Sequence, residues 1–384
     1  MTSVPRNAVA VNTVPMKTGP MKTLPLMTVH CVLPNDIDDP ARPSGGNIYD
    51  RRLIDGLTAR GWTVVEHAVV GDWPDPDVAA RAEVAATLAG LPTGAVVLLD
   101  GLVASAVPEV LAPEADRLRL VVLVHMPVGD TGGALARARE GEALQVASAV
   151  VTVSRWSRDR LIELYGLPED RIHLAEPGTD PAPLASGSRS GGRMLCVATV
   201  AVHKGHDVLV RALSRLADRR WTCVCVGTVD REPAFVTDVL DEARRGRIAG
   251  RIRMVGPLPH AALHPHYTRT DLLVLPSRSE TYALVVGEAL ARGIPVVATA
   301  VGGVPEALGY TPDGRRPGLL VPPDDPAALA DALRRWLEEP ALRADLREAA
   351  RQRRTTLPGW ASTVEACAEV LTRAAQTVRV PTGR

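Results

Sequence analysis

Strand-like and helical segments alternate along almost all of this chain, which predicts an α/β fold of parallel, doubly wound sheets. Two further observations make it two such sheets rather than one. The alternation stops at Gly178-Thr-Asp-Pro-Ala-Pro-Leu-Ala-Ser-Gly-Ser-Arg-Ser-Gly-Gly192, which has the composition of a linker, and then restarts. The length, 384 residues, is long for one domain and comfortable for two, each able to bury its own core. Ligands of doubly wound sheets bind beyond the carboxyl ends of the strands, so two such sheets face to face imply a site between them.

Residues 1–26 mix Pro, Thr, Val and Met without period and read as a disordered N-terminal tail, with an apolar stretch too short and interrupted for a signal peptide. Met27 precedes the first convincing strand, near 28–33, within Thr28-Val-His-Cys-Val-Leu-Pro34. An N-terminal domain over 27–177 then offers apolar runs of strand length near 62–69, 95–99, 119–125 and 149–153. Helical patterns lie between them near 45–60, 76–90, 103–112, 135–147 and 155–165. After the linker at 178–192, a C-terminal domain over 193–355 repeats the scheme. Its strands are expected near 193–200, 221–227, 252–256, 271–275, 295–299 and 317–321, and its helices near 205–218, 233–246, 260–269, 282–292 and 325–338. Helical patterns without strands close the chain at 341–354 and 359–374; the last helix, within 356–376, is expected to pack back on the N-terminal domain ahead of a tail at 377–384.

The 44 basic and 44 acidic side chains cancel, leaving no overall field to attract nucleic acid or an anionic membrane; an anionic ligand must be held locally. No apolar run reaches the roughly 20 residues that span a bilayer, so a soluble protein without an integral membrane segment is expected. Five scattered cysteines, mostly in apolar runs, suit a reducing cytoplasm better than a disulfide framework. Cys223 and Cys225 alternate with valines and should share one face of a buried strand, with no further Cys or His close in sequence to complete a metal site.

Against 41 arginines, Lys204 is the only lysine of the last 362 residues, and it sits where a strand hands over to a helix in Met194-Leu-Cys-Val-Ala-Thr-Val-Ala-Val-His-Lys-Gly205. A compact ammonium beside the free N–H groups of a helix start suits phosphate; the alternative is a surface lysine kept by chance. The richest segment is Leu273-Val-Leu-Pro-Ser-Arg-Ser-Glu-Thr-Tyr-Ala-Leu-Val-Val-Gly-Glu-Ala-Leu-Ala-Arg-Gly-Ile-Pro-Val-Val-Ala298, in which a buried strand ends in a loop carrying Glu280 and a helix carries Glu288. A helical interval would set the two carboxylates at most roughly 12 Å apart, about the reach of a sugar nucleotide from sugar ring to ribose. Carboxylates accept hydrogen bonds from vicinal hydroxyls; two solvated helix charges are the bland alternative.

From Met27 to about Leu371 the chain resembles the retaining glycosyltransferases of family 4, which share the GT-B fold of two facing Rossmann-like domains. The matching motifs, in order, are Pro43-Ser-Gly-Gly-Asn-Ile-Tyr49, Val122-Leu-Val-His-Met-Pro127, Ala149-Val-Val-Thr-Val-Ser154, Glu176-Pro-Gly178, His203-Lys-Gly205, the Glu280/Glu288 segment, Val301-Gly-Gly-Val-Pro-Glu306 and Pro317-Gly-Leu-Leu-Val-Pro-Pro323. The resemblance implies that Lys204 binds the donor diphosphate, Glu280 the sugar hydroxyls and Glu288 the ribose, with Thr281, Tyr282, Ala283 and Leu284 beside the donor. Gly45 and Gly46, opening the first helix, could approach the diphosphate from the opposite wall, although a simple turn is the alternative. His125 falls where the family places a histidine near the transferred sugar; a histidine satisfied at a strand end is the other reading.

Two departures stand out. Ala198-Thr199 replaces the Gly-Arg of many relatives, so the diphosphate depends more on Lys204 and backbone amides. Glu280-Thr-Tyr-Ala283 replaces Glu-x-Phe-Gly, placing a methyl where close backbone approach is expected. Elsewhere, Asp36, Asp38 and Asp39, followed by Pro40 and Arg42, are expected to form a solvated acidic loop or to bind a polar or cationic acceptor. His260, His264 and His266 flank Pro265, which is expected to break their helical presentation.

The resulting expectation is a cytoplasmic transferase moving a hexose from a UDP- or GDP-linked sugar by front-face transfer, with no metal and no further cofactor. The acceptor is expected to be a small soluble molecule, because Asp72-Trp-Pro-Asp-Pro-Asp-Val-Ala-Ala-Arg81 is acidic where lipid-using relatives tend to carry a basic, apolar helix. The alternatives are a sugar-nucleotide epimerase or hydrolase on the same fold and a catalytically silent sugar-nucleotide-binding protein. A pyridoxal-phosphate phosphorylase is disfavoured, since Lys204 cannot serve both phosphate and Schiff base.

Overall fold

The computed structural model describes residues 27–39 and 44–376. The tails expected at 1–26 and 377–384, together with Pro40, Arg42 and Pro43, lie outside the described residues. Six strands, β1 (Thr28–Pro34), β2 (Thr63–Val69), β3 (Val96–Asp100), β4 (Arg119–Val124), β5 (Ala149–Thr152) and β6 (Ile172–Leu174), form a parallel sheet in the order β2-β1-β3-β4-β5-β6. A second parallel sheet holds β7 (Arg193–Val197), β8 (Thr222–Val226), β9 (Ile252–Met254), β10 (Leu272–Leu275), β11 (Val296–Thr299) and β12 (Gly318–Val321) in the order β12-β11-β10-β7-β8-β9. Strand order reverses between β1 and β3 in the first sheet and between β7 and β10 in the second. In doubly wound sheets such switch points are where ligands bind beyond the strand ends.

The helices α1 (Gly45–Ala59), α2 (Val78–Ala89), α3 (Gly101–Ala106), α4 (Pro108–Glu114), α5 (Val128–Thr131), α6 (Gly133–Val146) and α7 (Arg155–Tyr165) flank the first sheet. The second carries α8 (His206–Ser214), α9 (Pro233–Arg245), α10 (His260–Thr268), α11 (Leu284–Ala291), α12 (Val304–Leu308), α13 (Pro326–Glu338) and α14 (Pro340–Arg354). The last helix, α15 (Trp360–Gln376), crosses back to the first domain. There Gly56 of α1 leaves space for Val364, and Thr363 Oγ1 donates to the Glu176 carbonyl at 2.6 Å. One buried cluster runs from Val29 and Leu53 through Tyr282 and Val286 of the second domain to Cys367 and Leu371 of α15, so the halves share core. Cys223 and Cys225 are both buried on β8.

The structure corrects several sequence expectations. β6 is missing from them: three residues with a histidine in the middle carry too little apolar signal. The helix expected over 103–112 is two helices, because Pro108 excludes Val107 from helical geometry, and Val107 sits at φ −136° and ψ 47°. Helix α10 runs through Pro265 rather than ending there, and His264 Nδ1 lies 3.1 Å from Arg292 Nη2 instead of facing a shared cation. The helix expected from 282 starts at Leu284, because Ala283 takes a left-handed conformation at φ 72° and ψ 73°. Asp38 of the acidic loop is engaged at 2.5 Å by Arg51, which also holds Glu66 at 3.0 Å. Residues 178–192 contain no helix or strand, yet Ala185 N bonds to Arg292 O and Ser186 N to Thr268 O, each at 2.9 Å.

Candidate active site

Lys204 closes a short 3-10 turn after β7, at the second switch point. The turn is clamped by the loop after β10. Arg278 N donates to His203 O at 2.8 Å and its guanidinium grips Asp207 bidentately with two bonds of 2.8 Å, also reaching Val202 O and Asp324. Burial opposes the charge on Asp207, but Arg278 and Arg211 outweigh it and hold the carboxyl below its usual range. Gly205, at φ 67°, must be glycine, since a Cβ there would lie 2.0 Å from Pro276 O.

So positioned, Lys204 Nζ donates to Glu280 Oε1 at 2.8 Å, and Ser277 Oγ donates to the same oxygen at 2.7 Å. Two of the residues singled out from sequence are therefore one unit, with side chains 21% and 10% exposed. Glu280's loop is itself wedged, because a Cβ on Gly302 (φ 51°) would stand 1.6 Å from Glu280 O. Beyond it, Thr281 packs its carbonyl on Gly303. The Tyr282 side chain is 8% exposed within the shared core, its hydroxyl pKa raised by burial and by Glu176. Ala283 precedes α11 without a side-chain cap and its carbonyl accepts from Val286 N at 3.0 Å, which leaves the amides of Leu284 and Val285 without an intrahelical partner. Glu288, one to two turns further along, accepts from the buried Tyr267 hydroxyl at 2.7 Å.

The opposite wall is the first switch point. Ser44 caps α1 by accepting from Asn47 N at 3.0 Å and Ile48 N bonds to Ser44 O, which leaves the amides of Gly45 and Gly46 without a helical partner. The domains meet here: a Cβ on Gly45 would be 3.3 Å from Leu284 Cδ1. A Cβ on Gly46 would be 3.3 Å from His125 Cδ2. His125 Nε2 lies 2.8 Å from Asp50 Oδ1 and 3.7 Å from Asp100 Oδ2. Burial disfavours the charged ring, but the charge and hydrogen bond of Asp50 and the charge of Asp100 prevail and raise its pKa to about 8. Asp100 is shifted upward by burial and by Asp50. Among the described residues, Asp50, Asp100 and His125 are the one group whose potential ligand atoms lie within 4.8 Å of one another in a way that could hold a metal.

Sequence reasoning missed Asp50, Asp100, Ser277, the Arg278–Asp207 clamp and Glu306. Asp100 left a readable signal, an acid at the carboxyl end of the apolar strand Val-Val-Leu-Leu-Asp. Asp50, inside α1, left none. Glu306 of α12 accepts from Arg155 N at 2.9 Å and Trp156 N at 2.7 Å, so a carboxylate of the second domain caps α7 of the first.

Two facing doubly wound domains, joined by a last helix that crosses back, make the GT-B architecture of glycosyltransferases. Comparison with known proteins adds the family: residues 43–183 match the model of Glycosyltransferase Family 4 and residues 191–339 that of Glycosyl transferases group 1, and the chain belongs to this family. It is 34% identical over 257 residues to D-inositol 3-phosphate glycosyltransferase 1 of Catenulispora acidiphila, a match covering 62% of this chain and 60% of that protein. It is 33% identical over 265 residues to a glycogen synthase of Mycobacterium tuberculosis, covering 67% and 62%. The matched region thus spans about three fifths of the length of these relatives. Among solved structures, sucrose-phosphate synthase from Thermosynechococcus elongatus superposes with TM-score 0.73 at 22% identity, over 90% of this chain and 98% of that one. Anabaena HepE in complex with UDP-glucose superposes with TM-score 0.71 at 17% identity, over 90% and 100%. At such identities the shared property is the fold. No described helix is long and apolar enough to cross a membrane.

Proposed function

We propose that the chain transfers a hexose from a UDP- or GDP-linked sugar to a small soluble acceptor, with retention of anomeric configuration. The observation that carries this reading is the Lys204–Glu280 pair, 2.8 Å apart at the second switch point. A donor diphosphate carries more charge than one carboxylate and competes for the ammonium. Glu280, still held by Ser277, is then free to accept hydrogen bonds from hydroxyls of the attached sugar. Glu288, four residues after α11 starts at Leu284 and bonded to the Tyr267 hydroxyl, suits the ribose.

As the bond from the anomeric carbon to the phosphate breaks, negative charge grows on the departing diphosphate. Lys204 and the first-turn amides of α11, with those of Gly45 and Gly46 opposite, are oriented to stabilise it. No carboxylate of this constellation is an obvious nucleophile, Glu280 being held by Lys204 and Ser277, so front-face transfer is favoured. The leaving phosphate oxygen takes the acceptor's hydroxyl proton, and the new C–O bond forms on the face that the phosphate leaves. A covalent sugar trapped on Glu280 would overturn that step. The protein supplies the positive charge, so full transfer in excess chelator is expected, and strict dependence on a divalent cation would refute the metal-free scheme.

The small acceptor is supported by the relatives named for D-inositol 3-phosphate. It is also supported by Asp72–Arg81, where Trp73 packs inward and Asp77 caps α2 rather than forming a basic apolar face. Five buried free cysteines support a reducing cytoplasm. The deciding experiment is thermal stabilisation by a panel of UDP-, GDP- and ADP-sugars on wild type and Lys204→Ala. A Lys204-dependent shift with one nucleotide supports the reading and identifies the donor; no shift with any of them refutes it.

A further inference from the structure

His125 stands just beyond β4, surrounded on three sides. Its Nε2 faces Asp50 and Asp100, whose side chains are 2% and 4% exposed. Gly46 covers the Cδ2 to Cγ edge, and the Tyr49 ring meets it edge-on at 5.1 Å. The side of the ring bearing Cε1 and Nδ1 is the part these neighbours leave uncovered, and the side chain is 17% exposed. Asp100 cannot swing away, because Oδ1 is fixed by Leu102 N at 2.7 Å as the cap of α3. The titratable groups around the ring are Asp50 and Tyr49 on α1 and Asp100 at the corner from β3 to α3; Cys367 of α15 lies behind, 3.5 Å from the Tyr49 hydroxyl.

Two buried carboxylates on one imidazole set its charge. Among the described residues, neither Asp50 nor Asp100 has an ion pair with arginine or lysine, so a neutral His125 would leave their charge uncompensated in a dry place. We propose that Asp50 and Asp100 are positioning residues that hold His125 as the imidazolium ion, so that its uncovered edge presents a charged N–H donor to an oxygen of the donor sugar or diphosphate instead of a lone pair. The role toward the donor rests on the reading given under Proposed function; the charge state stands on the geometry alone. The upward shift of His125 to about 8 agrees with it. Because the charged ring is the working form, its contribution is full below that value and lost as pH rises through it.

The test is an NMR titration of the His125 ring protons, assigned by difference from His125→Gln, in wild type, Asp50→Asn and Asp100→Asn. The expected midpoint is near 8 in wild type and lower in either variant. Transfer kinetics supply the second readout: Asp50→Asn should lower kcat about tenfold while KM for the donor changes little, its alkaline limb should move to lower pH, and Asp50→Glu should recover part of the loss. A wild-type midpoint at or below 6.5, or a midpoint unmoved in a folded variant, overturns the proposal. So does a stoichiometric divalent ion that is retained by wild type and lost from Asp50→Asn. Should Asp50→Asn not fold, Asp100→Asn decides the charge state alone. The titration needs no substrate, so failure of the nucleotide-sugar reading, seen as no thermal shift, is separable from failure of this one.

Discussion

Lys204 announced itself in the sequence because arginine has replaced lysine nearly everywhere else, and a point-charge ammonium is not interchangeable with a planar guanidinium. Lys204→Ala is expected to abolish stabilisation by the donor and to lower kcat roughly 10²–10³-fold, with Lys204→Arg recovering little; near-normal turnover in either would refute the role. Tyr282, in the same segment, was legible as a position but not as a side chain, since a loop sequence does not say which way a ring turns. A pair outside the site carries a pH prediction. His30 Nδ1 and His67 Nε2 are 3.0 Å apart, and burial lowers both pKa values from 6.5, His30 adding to the shift of His67. A base with a lowered folded pKa binds fewer protons folded than unfolded. Stability is therefore full above 6.5 and declines as pH falls from there through the lowered values. The melting temperature should drop between about pH 7 and pH 5, and His67→Gln should flatten that drop relative to wild type.

At the scale of elements, most strands and helices were readable within a few residues, because apolar runs and helical periodicity survive without tertiary context. The misses have local causes: β6 is too short, and Pro108 divides a helix that composition alone joins. Ala283 shows the opposite, a sequence departure that the backbone has absorbed. Its left-handed φ of 72° at the start of α11 costs an L residue that glycine would not pay. Ala283→Gly should stabilise the protein by about 1 kcal/mol, read from urea unfolding, and tighten donor binding; destabilisation would mean that the methyl packs productively. Gly205→Ala should do the reverse, because its Cβ would strike Pro276 O and force the Lys204 turn off the Arg278 clamp. The expected cost is roughly 1–3 kcal/mol together with a raised KM for the donor, measured by denaturation and initial rates.

Across the whole molecule, the two domains are held by few but specific links. The first-turn amides of α7 are shared between its own cap, Ser154, which accepts from Ser157 N, and Glu306 of the other domain, which accepts from Arg155 N and Trp156 N. Helix α15, the core that joins Tyr49 and Val364 to Tyr282 and Val286, and the approach of Gly45 to Leu284 add to these. Glu306→Ala should cost about 1–2 kcal/mol and let the domains separate, visible as a larger radius of gyration in solution scattering and a higher donor KM; an unchanged radius and KM would limit Glu306 to capping.

The sequence by itself determined the two-sheet architecture and the order of its elements, because periodicity and breaker residues are local signals; it singled out Lys204 by its isolation, and Glu280 and Glu288 through the family resemblance. The tertiary structure decided which of these meet: that Lys204 and Glu280 form one pair, that Tyr282 turns inward, and that Asp50 and Asp100 converge on His125 from two elements. It also decided that Glu306 reaches across to α7. Such contacts depend on strand order and on how far each chain segment is carried by packing, and neither is written in the spacing of residues along the chain.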